Sequence, residues 1–316
     1  MIIRHRPSAW QLFFILRGSI VLRIAPQIVL AALFSLLIAY GQSRFPADFP
    51  SFTLVPFSLI GLAFSIFLGF RNTASYDRYW EGRKLWGQLV IDARSLARQL
   101  LTLMGPSRAD GHAGETAEAK AFACEMVRKI IAFTYALKHH LRSSDAAADV
   151  TRFWPAADVS SLLKRGHVPD AILLSLSAEL RQCRDREWLS DQMLRAMDER
   201  LTSLATVLAA CERIRYTPLP FAYTLLLHRT AYLYCFLLPF GLVETIGMMT
   251  PLVVAIVSYT FFGLDALGDE IEEPFGDLPN DLPLDAISRT IEINLREAMG
   301  ETDLPPPLKP VDYCLM

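Results

Sequence analysis

The densest chemistry in this 316-residue chain is a run of carboxylates. Asp265, Asp269, Glu270, Glu272, Glu273, Asp277, Asp281 and Asp285 follow one another with no Lys or Arg between them. Carboxylate oxygens are hard donors, suited to calcium or magnesium. The plain alternative is a solvated acidic surface, and a further use is to raise the local cation concentration. His139 and His140 are adjacent, so on a helix their side chains diverge by about 100° and suit neither one metal nor one catalytic triad. The sequence contains no G-x-S-x-G, G-x-x-x-x-G-K-[ST], H-E-x-x-H or G-x-G-x-x-G motif, so the expectation is a protein that is not an enzyme and carries no cofactor. Cys124, Cys183, Cys211, Cys235 and Cys314 are scattered, odd in number and without a C-x-x-C. They read as reduced thiols rather than as a disulfide framework or zinc site. A net charge of −2 argues against nucleic acid as a partner, since phosphate binding needs a basic surface.

The elements that must position these residues are apolar. Hydrophobic residues make up 52% of the chain and charged residues only 20%, against about a quarter in an average globular protein. Crossing a bilayer takes about 20 mainly apolar residues. Stretches 24–40, 52–70, 221–243 and 248–264 meet or approach that length; after the third, Glu244 and Pro251 break the apolar run. Lys and Arg gather before the first stretch, after the second and before the third, while the two outer turns hold a single Arg. That asymmetry places both termini and residues 71–220 in the cytoplasm. Residues 10–16 suggest a helix lying on the membrane surface, with Trp10, Phe13 and Phe14 toward lipid. Helical spacing continues over 74–104, 115–142, 168–184 and 188–214, and the four prolines of residues 303–316 predict an extended tail.

The expected organisation is therefore all-α, with four transmembrane helices and a helical cytoplasmic domain. Residues 1–23 form an interfacial segment, 24–74 the first two spans, 75–215 the cytoplasmic domain and 216–264 the third and fourth spans. An acidic segment and helix occupy 265–300, and the Pro-rich tail 301–316. His228 and Arg229, near the inner end of the third span, are expected to snorkel or to pair with the acidic segment. Trp80, Glu81, Arg83 and Trp86 are expected to be structural, with Glu81 pairing with Arg78 or Arg83 along or between helices and the tryptophans buried against neighbours.

The second span carries two stripes. Gly61, Ser65 and Gly69 recur every four residues, a pattern that lets helix backbones approach closely in a membrane. Beside them Leu62, Ile66 and Phe70 form an apolar ridge at the same spacing. Within a lone bundle such a ridge faces lipid or the core. If copies of the helix surround an axis, it lines a narrow tube that can gate by dewetting.

Directly after this span comes GFRNTASYDRYWEGRKLWGQL (69–89), and farther on CERIRYTPLPFAYTLLLHRT (211–230), SYTFFGLDALGDEIEEPFG (258–276) and NDLPLDAI (280–287). Taken together and in this order, these blocks resemble the bestrophin family, particularly its bacterial branch. The resemblance implies a homopentamer around one central pore in the cell's inner membrane, with lipid and permeating monovalent ions as its other partners. It places the neck rings on Leu62, Ile66 and Phe70, and an inner constriction on or near Gln192, where the family usually has an apolar residue. In animal bestrophins the stretch after P-F-G is a continuous acidic run that binds calcium. Here Leu278 and Pro279 interrupt it, so no metal is expected. Animal relatives conduct chloride and bacterial relatives are associated with cations, which makes a cation channel the first expectation and an anion (chloride) channel the alternative. A secondary transporter would show inverted repeats and broken helices with polar residues at mid-membrane, and neither is present. A non-conducting membrane scaffold is the remaining alternative.

Overall fold

The computed structural model describes residues 1–4, 8, 10–11, 14–15, 18–46, 52–105 and 117–316. Ten helices follow among them: α1 (Val21–Arg44), α2 (Leu54–Leu103), α3 (Ala117–Arg142), the short α4 (Ala147–Val150) and α5 (Val159–Leu163), α6 (Val168–Asp185), α7 (Asp191–Tyr216), α8 (Phe221–Ile246), α9 (Thr250–Glu272) and α10 (Leu284–Ala298). The described residues contain no strand, only the isolated bridges Ile2–Cys314 and Val311–Cys314. The all-helical expectation therefore holds.

Local chemistry sets the helix ends. His167 and Ser190 cap α6 and α7 by accepting from the backbone N–H of Asp170 and Met193, which satisfies one of the donors every helix start leaves open. Asp191 opens α7, and Arg213 and Arg215 close it, as the helix dipole favours. Between α8 and α9 the chain turns through Gly247–Met249. Gly247 has φ +49°, a left-handed geometry that glycine adopts without steric cost, and Pro251 lies in the first turn of α9, where its missing N–H costs nothing.

The chain divides into two compact units, and α2 contributes to both. The first comprises residues 4–80 and 218–274. In it α1 packs on α9 and α8 around Ile24, Phe64, Leu68, Leu227, Ala231, Cys235, Phe262 and Ala266. Its outward side chains are apolar too: Leu33, Leu37, Leu59, Leu233, Leu237, Leu252 and Ile256 are all exposed. A surface this apolar is incompatible with water and matches hydrocarbon. By length and composition three stretches among the described residues can cross a membrane: Val21–Arg44, Leu54–Leu103, and Phe221–Glu272, the last being α8 and α9 with their turn.

The second unit comprises residues 1–3, 81–217 and 275–316. Its core holds Trp86, Leu89, Leu96, Leu100, Met126, Ile130, Ile131, Phe133 and Leu137. Two polar pairs lie inside it: Lys129 bonds Glu179, and the Tyr135 hydroxyl donates to Glu292 at 2.5 Å. Burial, more than the Lys129 partner offsets, holds the Glu179 carboxyl above its ordinary range.

Two sequence expectations change. The second apolar stretch and the helix expected from residue 74 are one unbroken helix of 50 residues, about 75 Å at 1.5 Å per residue, because no proline lies between Pro56 and Pro106. The Pro-rich tail has no regular structure over residues 301–310 but is held at its end. Leu315 N–H donates to the Met1 carbonyl at 2.9 Å, Ile3 N–H to that of Tyr313 at 2.8 Å, and Ala286 N–H to that of Met316 at 2.8 Å. Of the aromatic residues expected at the membrane surface, Trp10 and Phe14 are exposed, whereas Phe13 lies outside the described residues.

Candidate pore-lining site

Along α2 the residues that pack inward within the first unit are Gly61, Phe64, Leu68, Arg71 and Ser75, all buried, at the alternating spacing of three and four that marks one helix face. A close approach occurs at Gly61, where a Cβ would lie 2.6 Å from the Tyr234 hydroxyl. The small-residue stripe thus divides. Gly61 meets a neighbouring helix, whereas Ser65 is exposed with its hydroxyl donating to the Gly61 carbonyl at 2.7 Å, and nothing lies within 4 Å of a Cβ on Gly69.

Opposite this buried stripe the ridge stands open. Leu62, Ile66 and Phe70 are 62%, 50% and 62% exposed, and the Phe70 ring meets Phe67 edge-on at 6.4 Å. An uncharged, oily edge without cover in a single chain needs lipid, another chain, or a water-poor passage against it.

Arg71, the residue after the ridge, is the anchor that the sequence reading missed. Its side chain is fully buried. One guanidinium nitrogen donates to Asp265 Oδ1 at 2.7 Å and reaches the Asp265 carbonyl at 3.3 Å. The other bonds Asp269 and lies 3.7 Å from Glu272. Gly268 permits this approach, since a Cβ there would sit 2.5 Å from Asn72 Oδ1 and 3.5 Å from the Arg71 guanidinium. His228 Nδ1 is 2.8 Å from Asp265 Oδ2, so its expected pairing with the acidic segment is present. Arg23 adds a 3.5 Å contact to Asp269. The Leu219 N–H donates to Glu272 at 3.0 Å, and Arg78 Nε to the Glu272 carbonyl at 3.1 Å.

The rest of the acidic segment is engaged differently. Glu270 is half-buried and Glu273 exposed. Asp277 lies 3.1 Å from Arg142 Nε. Buried Asp281 accepts from the Leu278 N–H at 2.7 Å. Asp285 accepts from Lys138 at 2.9 Å and Arg142 at 2.5 Å. Burial raises the Asp285 carboxyl, but those two cations pull harder and leave it below its ordinary value.

Gln192 is exposed in the first turn of α7. The adjacent histidines part as helix geometry dictates: His139 faces Ser144 and Asp149, at 2.7 and 2.9 Å, while His140 faces Glu212 at 2.8 Å. Glu81 does not pair along its own helix. It bonds Arg213 of α7, because a partner on a packed neighbour presents its head group directly. Trp86 is buried as expected, whereas Trp80 is 46% exposed and stacks on Tyr76 at 6.4 Å.

The chain is similar along nearly its whole length to proteins already described. It is 43% identical to a voltage-dependent anion channel-forming protein of Mesorhizobium japonicum, over 99% of this chain and 96% of that one. It is 41% identical to a protein of the same description from Escherichia coli K12, covering 98% of each. A crystal structure of a mutant bacterial bestrophin homolog from Klebsiella pneumoniae superposes with a TM-score of 0.81 at 41% identity, over 88% of this chain and all of that one. The family profile described as Bacterial/Fungal Bestrophin protein matches residues 1–297, and the chain belongs to that family.

Proposed function

We propose that this chain is the subunit of an ion channel in which five copies of α2 surround an axis and turn Leu62, Ile66 and Phe70 toward the permeating ions. The observation that carries the reading is the exposed apolar ridge opposite a fully packed face of the same helix. Four spans follow from the three apolar stretches if α8 and α9 each cross. Both termini then lie in the cytoplasm of an inner-membrane protein, a reading supported by Met1–Ile3 and residues 275–316 sharing one unit with residues 81–217. Gln192 would line the inner exit and leave it wetter than an apolar ring would.

The permeant ion is an anion. The sequence lean toward cations rested on the likeness to the bacterial branch and on the interrupted calcium run, and two observations turn it. Buried Arg71 holds Asp265, Asp269 and Glu272 within the subunit, and relatives above 40% identity are described as anion channel-forming. A hydrophobic neck has no charge of its own to reject an anion, and chloride sheds its hydration at lower cost than a small cation. The test is the reversal potential of the purified protein in a planar bilayer under a tenfold KCl gradient. A tenfold ratio is worth about 1.4 kcal/mol, which at about 2.3 kcal/mol per 100 mV is about 60 mV. Reversal near the chloride potential supports the proposal; reversal near the potassium potential returns the assignment to cations.

A further inference from the structure

A separate cluster lies in the second unit, among residues that the pore reading does not use. His140 stands near the end of α3, His167 at the cap position before α6, and Glu212 in the last part of α7. His140 Nε2 lies 2.8 Å and His167 Nε2 2.5 Å from the same Glu212 Oε1. All three donor atoms fall within 4.8 Å of one another, and the two imidazole rings are 4.5 Å apart. Each residue is half-buried, held by its helix yet open to a small ion.

We propose that His140, His167 and Glu212 form a binding site for a divalent transition-metal ion of the zinc type. Two imidazole nitrogens and one carboxylate oxygen are a borderline-soft set, which suits zinc; calcium and magnesium prefer all-oxygen shells. Three protein ligands leave a fourth tetrahedral position for water. Without an ion, one carboxylate oxygen lies between both Nε2 atoms, so hydrogen bonds occupy the place of the cation.

The geometry also predicts a cost. His167 Nδ1 accepts from the Asp170 N–H at 3.2 Å, so the neutral ring carries its proton on Nε2, the atom that would bind the metal. Binding must move that proton to Nδ1, which gives up the α6 cap. The ion thus ties three helices together while loosening the start of one of them, and its affinity should fall below that of sites preformed for the metal.

The experiment is a zinc titration of the full-length protein in detergent, stripped with chelator, read by calorimetry and by metal content after desalting. Cobalt serves as a coloured substitute. The proposal expects about one zinc per chain, a visible absorption band with cobalt, and a melting temperature raised by zinc. His140→Asn and His167→Asn should each weaken binding more than about tenfold and remove the cobalt band and the zinc-dependent shift. His167 sits at the most exposed of the three positions, so His167→Asn decides the matter if His140→Asn does not fold. Wild-type protein that takes up no zinc at micromolar concentration, or variants that bind as tightly as wild type, would overturn it.

Discussion

Replacing Arg71 with methionine removes the cation beneath the ridge while keeping a long apolar stem. The carboxylate left behind matters most at Asp265, whose side chain is 6% exposed. Asp269 is 35% exposed and can recover water. Stranding one buried charge costs about 3–5 kcal/mol. His228, 2.8 Å from Asp265 and half-exposed, offers a partial substitute, so the lower end of that range applies. At about 2–4 °C per kcal/mol for a chain of this size, Arg71→Met should lower the melting midpoint by roughly 6–12 °C. Adding Asp265→Asn removes the stranded charge and should restore part of the loss, a coupling larger than about 1 kcal/mol. The assay is tryptophan fluorescence during heating in detergent, with wild type and both single variants alongside. A midpoint within about 2 °C of wild type for Arg71→Met, or a double variant no better than the single, would refute the reasoning.

Further predictions concern packing, pH and thiols. At Gly241 a new Cβ would lie 2.5 Å from the Phe57 ring, so Gly241→Ala should destabilise by about 1–3 kcal/mol. Gly69→Ala meets nothing within 4 Å in the chain and should leave the melting midpoint unchanged, its effect appearing in assembly by gel filtration if copies of α2 pack there. Asp285 is held below its ordinary carboxylate value by Lys138 and Arg142. Its contribution is therefore complete above about pH 4 and is lost as the pH falls through the lowered value. Melting between pH 6 and pH 3 should show a steeper decline for wild type than for Asp285→Asn. Burial pushes the Cys183 thiol up to about 11 and the Cys211 thiol up to about 12. Neither should react with maleimide at pH 7 until the second unit unfolds, as mass spectrometry after timed labelling would show.

The helices were legible in the sequence because apolar runs and helical spacing are local signals. The ridge was legible for the same reason: Leu62, Ile66 and Phe70 repeat every four residues. Arg71 was not, because an Arg after an apolar run reads as an orientation signal. Its burial depends on Asp265, Asp269 and Glu272, which lie some two hundred positions away. The same non-locality hid the partners of Asp277 and Asp285 on α3 and the pairing of Glu81 with Arg213. A local pattern proposes partners on the same helix, whereas packing supplies partners from another. The docked tail escaped for a related reason: the prolines correctly signalled an extended chain, but only the N-terminal backbone at Met1 and Ile3 explains why it is held.

The central claim, that the ridge of α2 faces the conducting path, is tested most directly by Ile66→Cys in a planar bilayer. A small, negatively charged thiol reagent added during recording should reduce the current progressively, and a reducing agent should restore it, while Leu37→Cys, exposed on α1, stays silent. Current through Ile66→Cys that the reagent leaves unchanged, after labelling of the protein has been verified, would contradict the account.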